Sequence, residues 1–235
     1  MILKAFQVRT DKAEIMDDFE LKGHELEVVL NDLNNVNKRL GGYKITINGI
    51  RKLLPLQKRP LKIADIGCGS GENLRQIAKW AKRKNISVEL IGIDANLNSI
   101  NLAESLSAEF DNIKYFQQDV FDKKFSQHQF DITCLSLTLH HFKDDAIKKL
   151  LPILYKNSNL GVVINDLQRH WLAYVLFHLY SLLLMKSNIA KHDGKVSILR
   201  GFKRNELEAF STFVKPKHLH LKWCWAFRYL CIFQK

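Results

Sequence analysis

The run DIGCGSG at residues 65–71 is the feature that most restricts the fold of this chain. It follows an apolar segment at 61–66 that is typical of a buried strand, and apolar residues then recur at helical spacing from Leu74 to Ala81. Three alternate glycines let the backbone turn sharply and leave no side chain between the loop and a ligand. Because open α/β sheets bind ligands at the carboxyl ends of their strands, the run predicts a strand, a ligand-binding loop and a helix rather than a tight turn alone.

Strand patterns and helical patterns alternate along the chain after this loop. Strands are predicted at 61–66, 87–93, 112–117, 130–137 and 160–167. The alternation predicts right-handed βαβ units and therefore a parallel sheet with helices on both faces. Two β-rich stretches at the end, 214–222 and 226–234, predict an antiparallel hairpin at one edge of that sheet. The predicted fold class is α/β, with a doubly wound, mostly parallel, seven-stranded sheet of Rossmann-like architecture.

The segment before the sheet has a different pattern. The first forty residues predict helix, which ends at Gly41-Gly42 and is followed by a basic, turn-rich stretch at 51–60. We therefore expect an N-terminal helical cap at 1–59 and a main domain at 60–235. Within the main domain, His192-Asp193-Gly194 is expected to lie in a loop.

The composition excludes several classes of protein. Of the 235 residues, 46% are hydrophobic and 26% are charged, which supplies a full apolar core and is unlike a disordered chain. The four cysteines form no CxxC pair, so we expect free thiols in a reducing compartment and no metal site. The N-terminus has no apolar stretch long enough for a signal peptide. We expect a cytoplasmic protein.

The charge balance is strongly basic, with 36 Lys+Arg against 24 Asp+Glu and a net charge of +12. Such a chain attracts nucleic acid, an anionic membrane or acidic small molecules. The net charge alone does not distinguish these partners.

Residues 171–185, WLAYVLFHLYSLLLM, are apolar almost throughout. Fifteen helical residues rise about 22 Å, which is short of the roughly 30 Å hydrocarbon core of a bilayer. A helix over 169–186 is therefore predicted not to span a membrane. A helix buried on the sheet, a lid over an apolar pocket and a helix at a membrane surface stay open as alternatives.

Acidic residues follow two further predicted strands. Asp94 closes the second strand, where a carboxylate can accept hydrogen bonds from both hydroxyls of a ribose or can cap the next helix. Asp119 and Val120 follow the third strand, where the acid can accept from an exocyclic amine and the valine can face a purine ring. The glycine spacing is GxGxG, whereas the dinucleotide fingerprint is GxGxxG. The motifs together predict a nucleoside site and disfavour a dehydrogenase.

With these motifs the chain resembles the class I S-adenosylmethionine-dependent methyltransferases. DIGCGSG resembles their first motif, ID at 93–94 the acid after the second strand, QDV at 118–120 the adenine contact and FDITCLSLTLHHF at 130–142 the fourth-strand segment. The resemblance covers about residues 60–235 and implies the seven-stranded methyltransferase fold, with S-adenosyl-L-methionine as cofactor and S-adenosyl-L-homocysteine as product. It implies cofactor contacts from Asp65, Gly67, Cys68, Gly69, Gly71, Asp94, Ala95, Asp119, Val120 and Ser136.

A narrower resemblance is to a bacterial branch of that class linked to products of type III polyketide synthases and to other lipid-like or quinone-like molecules. It is carried by EIMDDFEL at 14–21, NDLQRHWLAYVL at 165–176 and HDGKVSILRGF at 192–202. This resemblance implies that the N-terminal helix and the apolar helix together shape the pocket for the methyl acceptor.

Several side chains are candidates for the acceptor side of the site. Methyl transfer mainly needs alignment of the acceptor with the sulfonium, but a phenol, enol or carboxylate acceptor also uses a base with a pKa near the working pH. His140 and His141 lie just after the fourth strand and are the candidate catalytic residues. Asp166, His170 and His192 are placed to reach the same opening from neighbouring loops. A surface position is the alternative for each histidine.

The leading hypothesis is methyl transfer to oxygen or carbon of a hydrophobic small molecule that is phenolic, polyketide or quinone-like. RNA methylation is an alternative suggested by the +12 charge. SLTLHH at 136–141 lacks the Asn/Asp-Pro-Pro-aromatic run with which amino-methylating enzymes of this class hold a flipped base, so nucleic acid is disfavoured. The third hypothesis is a non-catalytic protein that binds S-adenosylmethionine. Peripheral membrane contact through 171–185 is a further candidate interaction, and the sequence predicts no oligomeric state.

Overall fold

A computed structural model describes residues 5–55 and 59–235. Two helices precede the sheet, α1 (Gly23–Arg39) and α2 (Gly42–Lys52). The alternating part consists of β1 (Leu61–Ile66), α3 (Glu72–Arg83), β2 (Val88–Asp94), α4 (Leu97–Leu106), β3 (Ile113–Gln117), β4 (Phe130–Ser136), α5 (Asp144–Lys156) and β5 (Ser158–Leu167). It is followed by α6 (Trp171–Leu184), α7 (Asn188–Arg200), α8 (Arg204–Val214), β6 (His218–Cys224) and β7 (Arg228–Gln234).

The strands form one seven-stranded sheet in the order β3-β2-β1-β4-β5-β7-β6. The first five strands of that order are parallel, and β7 runs antiparallel to both β5 and β6. The predicted doubly wound sheet with a C-terminal hairpin is confirmed. The strand order reverses between β1 and β4, and such a switch point leaves a crevice at the carboxyl ends of the two strands.

Helices cover both faces of the sheet. Apolar residues of α2, α3 and α4 pack on one face, and apolar residues of α5 and α8 pack on the other. The central strands β1 and β4 are buried almost throughout, as expected for parallel strands covered on both sides. Strand β6 forms an exposed edge. The core therefore fixes β1 and β4, whose ends build the site.

The helical cap differs from the prediction. Helix begins at Gly23 rather than earlier, apart from short 3₁₀ segments at 5–6 and Ile15–Asp17, and a second helix follows the first directly. Of the two glycines at 41–42, only Gly41 takes a left-handed conformation, with φ of 74°. This residue separates the end of α1 at Arg39 from the start of α2 at Gly42. Residues 51–52 of the predicted turn-rich stretch belong to α2, and residues 56–58 lie outside the described part of the chain. The division at residue 59 stays a prediction.

The loop predicted around His192-Asp193-Gly194 is wrong, because these residues lie inside α7. A Cβ atom at Gly194 would stand 2.1 Å from the ring of Phe177 in α6. The glycine therefore lets two helices approach closely instead of ending one of them.

Candidate functional site

A cavity of about 1180 Å³ lies at the carboxyl ends of β1, β2 and β4. The structure brings most of the predicted site residues to its wall: Asp65, Gly67, Cys68, Gly69, Asp94, Ala95, Asp119, Val120, Ser136, His140 and His141. Four predicted residues do not line it: Gly71, Asp166, His170 and His192. Small-molecule pockets are typically about 300–1,000 Å³, so this cavity has room for two ligands side by side.

The glycine loop joins β1 to α3 and is tied to β2. Gly67, Gly69 and Gly71 have φ values of 67°, 51° and 74°, which side chains rarely adopt. The Gly69 N–H donates to Oδ2 of Asp94 over 2.9 Å, and the Asn96 N–H donates to its Oδ1 over 2.9 Å. Burial raises the pKa of Asp94. The loop is thus held in place by the acid that was predicted to bind a ribose.

Gly71 has a packing role. A Cβ atom there would lie 2.1 Å from the hydroxyl of Tyr115, which stands behind the loop and bonds to Ser107. The third glycine of the motif therefore allows the tyrosine to support the loop.

Asp65, near the end of β1, has a buried carboxyl group with one oxygen that is unpaired in the described part of the chain. Its side chain is buried and its Oδ1 has no hydrogen-bond partner among the described residues. Burial, with the neighbouring Asp94 carboxyl adding to it, raises the pKa of Asp65 to about 7. A buried carboxyl in this state fits a ligand that brings a positive charge.

Asp119 and Val120 form the other end of this half of the cavity. Asp119 uses Oδ1 to accept from the Phe121 N–H, and the residue is otherwise exposed to the cavity. Val120 is buried, and Phe121 stands edge-on to Phe142 with ring centroids 6.0 Å apart. This end offers an acidic oxygen beside apolar walls.

His140 faces the other half of the cavity. It lies on a 3₁₀ turn, Leu139–His141, and only 2% of its surface is exposed. Its Nδ1 lies 2.7 Å from Oδ1 of Asp166, whereas its Nε2 has no hydrogen-bond partner among the described residues. Burial alone would raise the pKa of Asp166, but the charge and hydrogen bond of His140 lower it. Asp166 therefore reaches the cavity through His140.

Three residues that the sequence did not single out surround the histidine pair. Asp17 accepts from Nδ1 of His141 over 2.8 Å and from Arg200 over 2.6 Å. Oε1 of Glu14 lies 3.6 Å from Nε2 of His140 and has no hydrogen-bond partner among the residues described. Burial raises the pKa of Glu14. Sequence spacing gives no signal for these contacts, because more than 120 positions separate Asp17 from its histidine.

Glu14, His140 and His141 are also a potential metal-ligand group, since one ligand atom from each lies within 4.8 Å of the others. The Arg200 guanidinium stands 3.6 Å from the same Glu14 oxygen. Its positive charge opposes a divalent cation there. The charges therefore disfavour a metal ion at this group.

His170 and His192 belong to the supporting structure. His170 caps α6 by accepting from the Leu172 N–H, and its ring stacks on Phe227 at 5.4 Å. His192 lies on α7 and its Nδ1 is 2.8 Å from Asp193. The prediction that they reach the cavity opening is wrong for both, because helix contacts direct these side chains elsewhere.

A segment near the N-terminus forms the roof of the cavity. Residues 8–11, 13, 14, 16, 17 and 19 line it. Buried Asp193 accepts from the backbone N–H groups of Ile15 and Met16, each over 2.9 Å. Arg9 donates to the carbonyl of Arg200 over 2.8 Å. This roof, residues 8–19, is fastened mainly by polar contacts.

Arg228 is a second functional candidate that sequence reasoning missed. It lines the cavity, is 1% exposed, and its Nε and Nη1 have no hydrogen-bond partners among the residues described. Burial lowers its pKa to about 10. A buried guanidinium with free donors fits an anionic or carbonyl oxygen.

The remaining wall is apolar. It includes residues of both α1 and α6, as well as the turn between β6 and β7: Leu33, Val36, Leu40, Leu176, Phe177, Tyr180, Trp225 and Phe227. This half suits a hydrophobic ligand.

Comparisons with known proteins agree with the fold. Residues 63–158 match the family model described as a methyltransferase domain. The chain is similar to the plantazolicin methyltransferase BpumL in complex with SAH, with 21% identity, a TM-score of 0.58 and coverage of 82% of this chain and 72% of that chain. It is also similar to the CurJ carbon methyltransferase, with 13% identity, a TM-score of 0.60 and coverage of 82% and 53%. A third similar structure is magnesium protoporphyrin IX methyltransferase from Synechocystis PCC 6803 with bound SAM, with 11% identity, a TM-score of 0.56 and coverage of 94% and 89%.

These likenesses confirm the predicted Rossmann-like methyltransferase fold. The prediction of S-adenosylmethionine as cofactor agrees with them, since structures with this fold are crystallised with SAH or SAM. The narrower branch linked to type III polyketide synthases stays a prediction.

Proposed function

We propose that the protein transfers a methyl group from S-adenosyl-L-methionine to an oxygen or carbon atom of a hydrophobic small molecule of phenolic, polyketide or quinone-like type. The observation that supports this most is a single cavity with two chemically different halves. One half holds the glycine loop and three acids, and the other holds the unpartnered Nε2 of His140 beside an apolar wall.

The first half fits S-adenosylmethionine. Asp94 keeps further lone pairs for the ribose hydroxyls, Asp119 and Val120 would hold the adenine, and Asp65 would pair with the ammonium group. The unpartnered Oδ1 of Asp65 fits a cationic ligand better than a pyrophosphate. When bound, the cofactor supplies a methyl group on a positively charged sulfur.

The second half fits an acceptor hydroxyl. Because Asp166 holds the Nδ1–H of His140, this ring presents the Nε2 lone pair to the cavity. We propose that Nε2 would take the proton of the acceptor hydroxyl as the methyl group passes from sulfur to the acceptor oxygen, which leaves S-adenosylhomocysteine, and that Asp166 would stabilise the resulting imidazolium. Arg228 would attract the developing negative charge on the acceptor.

Binding is tested first, by calorimetric titration with S-adenosylmethionine and S-adenosylhomocysteine, with NADH as control. We expect micromolar binding of the two sulfur compounds alone. Asp94→Ala should weaken it by roughly 1.5–3 kcal/mol, because a charge-assisted hydrogen bond is lost. No binding of either sulfur compound would reject the proposed cofactor.

Transfer is tested with S-adenosylmethionine carrying a radioactive methyl group and a panel of lipophilic phenols and quinols. His140→Gln should lower the transfer rate by about 10²–10⁴-fold and leave S-adenosylhomocysteine binding unchanged. His218→Gln, an exposed histidine outside the cavity, is the matched control. An unchanged rate in the His140 variant would remove the base from the proposal, and binding without transfer to any acceptor would favour a scaffold.

A further inference from the structure

Helix α6 exposes the residues that a helix of a globular protein usually buries. Its large apolar side chains face outward, with Leu183 81% and Leu182 60% exposed. Only Ala173 and Ser181 are buried within the helix. The alternative of a helix buried on the sheet is therefore wrong, since an ordinary amphipathic helix turns its apolar stripe inward.

An aromatic cluster continues this surface onto the C-terminal hairpin. The ring of His170 stacks with Trp171 at 5.9 Å and with Phe227 at 5.4 Å. Phe227 in turn lies 6.2 Å from Trp223 and 6.4 Å from Trp225. We call the exposed set the α6–hairpin face: Trp171, Val175, Leu176, Leu179, Leu182, Leu183, Leu184, Trp223 and Trp225.

The charges of the segments that build this face have one sign. No Asp or Glu occurs in residues 167–192 or 209–235. Two exposed lysines of these segments lie next to the face: Lys186 follows the end of α6, and Lys222 precedes Trp223 on β6. The exposed lysines at 215, 217 and 235 lie at the other end of the hairpin. Leucines and tryptophans with lysines beside them, on segments that contain no acids, complement the apolar boundary and the negative headgroups of an anionic bilayer.

We propose that the α6–hairpin face docks the protein on the surface of an anionic phospholipid membrane. Tryptophans favour the level of the headgroups, and each lysine near the surface adds attraction. No described helix is long and apolar enough to cross a membrane. In the proposed docked state α6 would lie along the surface. Docking goes beyond methyl transfer and does not require it.

One consequence does rest on the proposed function. Leu176 and Trp225 belong both to the α6–hairpin face and to the cavity wall. A docked protein therefore turns the edge of its cavity toward the lipid, and a lipophilic acceptor enters from the bilayer.

Docking is tested by flotation with two kinds of vesicle, one of phosphatidylcholine alone and one of phosphatidylcholine mixed with anionic phosphatidylglycerol. We expect strong binding to the anionic vesicles, weaker binding to the neutral ones, and a decrease at high salt. The double variant Leu179→Glu/Leu183→Glu should bind the anionic vesicles with an affinity at least about tenfold lower than that of the parent protein. Leu106→Glu/Phe213→Glu, two exposed apolar residues outside the face, is the matched control.

Two further readouts keep failures apart. S-adenosylhomocysteine titration reports folding and cofactor binding of each variant, independently of lipid. Quenching of tryptophan fluorescence by brominated lipid needs no variant, since three of the four tryptophans lie on the face. Absence of quenching, or equal flotation of the face variant and the parent, would overturn the proposal. Loss of a dimer in the face variant without lipid, measured by light scattering, would assign the face to a second copy instead.

Discussion

Replacing Asp65 by asparagine should make the protein more stable while weakening cofactor binding. The pKa of Asp65 is raised by burial from 3.8 to about 7. The folded state therefore holds this proton more tightly than the unfolded state does. Stability is fully present below about pH 4 and is lost as the pH rises toward 7.

The size of the effect follows from the shift. Relative to low pH, the folded state loses at most about 2 kcal/mol of stability at pH 5, where only the unfolded chain has released this proton, and about 4 kcal/mol at pH 8. Asparagine has nearly the same shape and cannot ionise. Asp65→Asn should therefore gain about 2 kcal/mol more stability at pH 8 than at pH 5.

Urea unfolding of both proteins at pH 5 and pH 8, followed by far-ultraviolet circular dichroism, measures this difference. Comparing the two pH values removes any constant cost of burying an amide. Cys231→Ser, which alters another buried residue without a charge near pH 7, serves as the control for pH effects unrelated to Asp65. A stability difference that is the same at both pH values would refute the reasoning.

Three more predictions concern Asp65, Asp166 and Gly161. The ammonium group of bound S-adenosylhomocysteine favours the ionised form of Asp65, so the ligand should bind up to about tenfold more tightly per pH unit between pH 5 and 7. Asp65→Asn should bind it weakly and without this pH dependence. An affinity of the parent protein that does not change with pH, measured by calorimetry, would contradict this prediction. Asp166→Asn should lower the methyl-transfer rate about 10²-fold or more and change its pH profile, with S-adenosylhomocysteine affinity preserved; an unchanged profile would show that Asp166 does not act through His140. Gly161→Ala should cost several kcal/mol in urea unfolding, because φ there is 151° and a Cβ atom would lie 2.3 Å from the Phe233 carbonyl oxygen; a cost below about 1 kcal/mol would contradict this backbone contact.

The sequence predicted those elements whose patterns are local. Strand β1 agrees residue for residue with the predicted segment 61–66, because its apolar run and the glycine turn that follows define it. It failed at Gly41 and Gly194. At Gly41 one left-handed residue separates two helices, and at Gly194 the missing side chain serves a neighbouring helix.

The site divides in the same way. Its nucleoside half could be predicted, since glycines and acids after strands are contiguous motifs. Of the other half, the histidine pair at 140–141 could be predicted, but its partners could not. Glu14, Asp17, Arg200 and Arg228 meet the histidines or the cavity only after folding. No spacing in the sequence records those contacts.

The polar fastening of the roof has a consequence for turnover. Residues 8–19 cover both halves of the cavity, and Asp193 and Arg200 hold them there. Hydrogen bonds and ion pairs of this kind break locally without disturbing the apolar core. We expect the departure of S-adenosylhomocysteine to wait for this segment to lift. For the proposed methyl transfer, the turnover rate would then be set by how often residues 8–19 detach, and ionic strength would change that rate more than the rate of the transfer step itself.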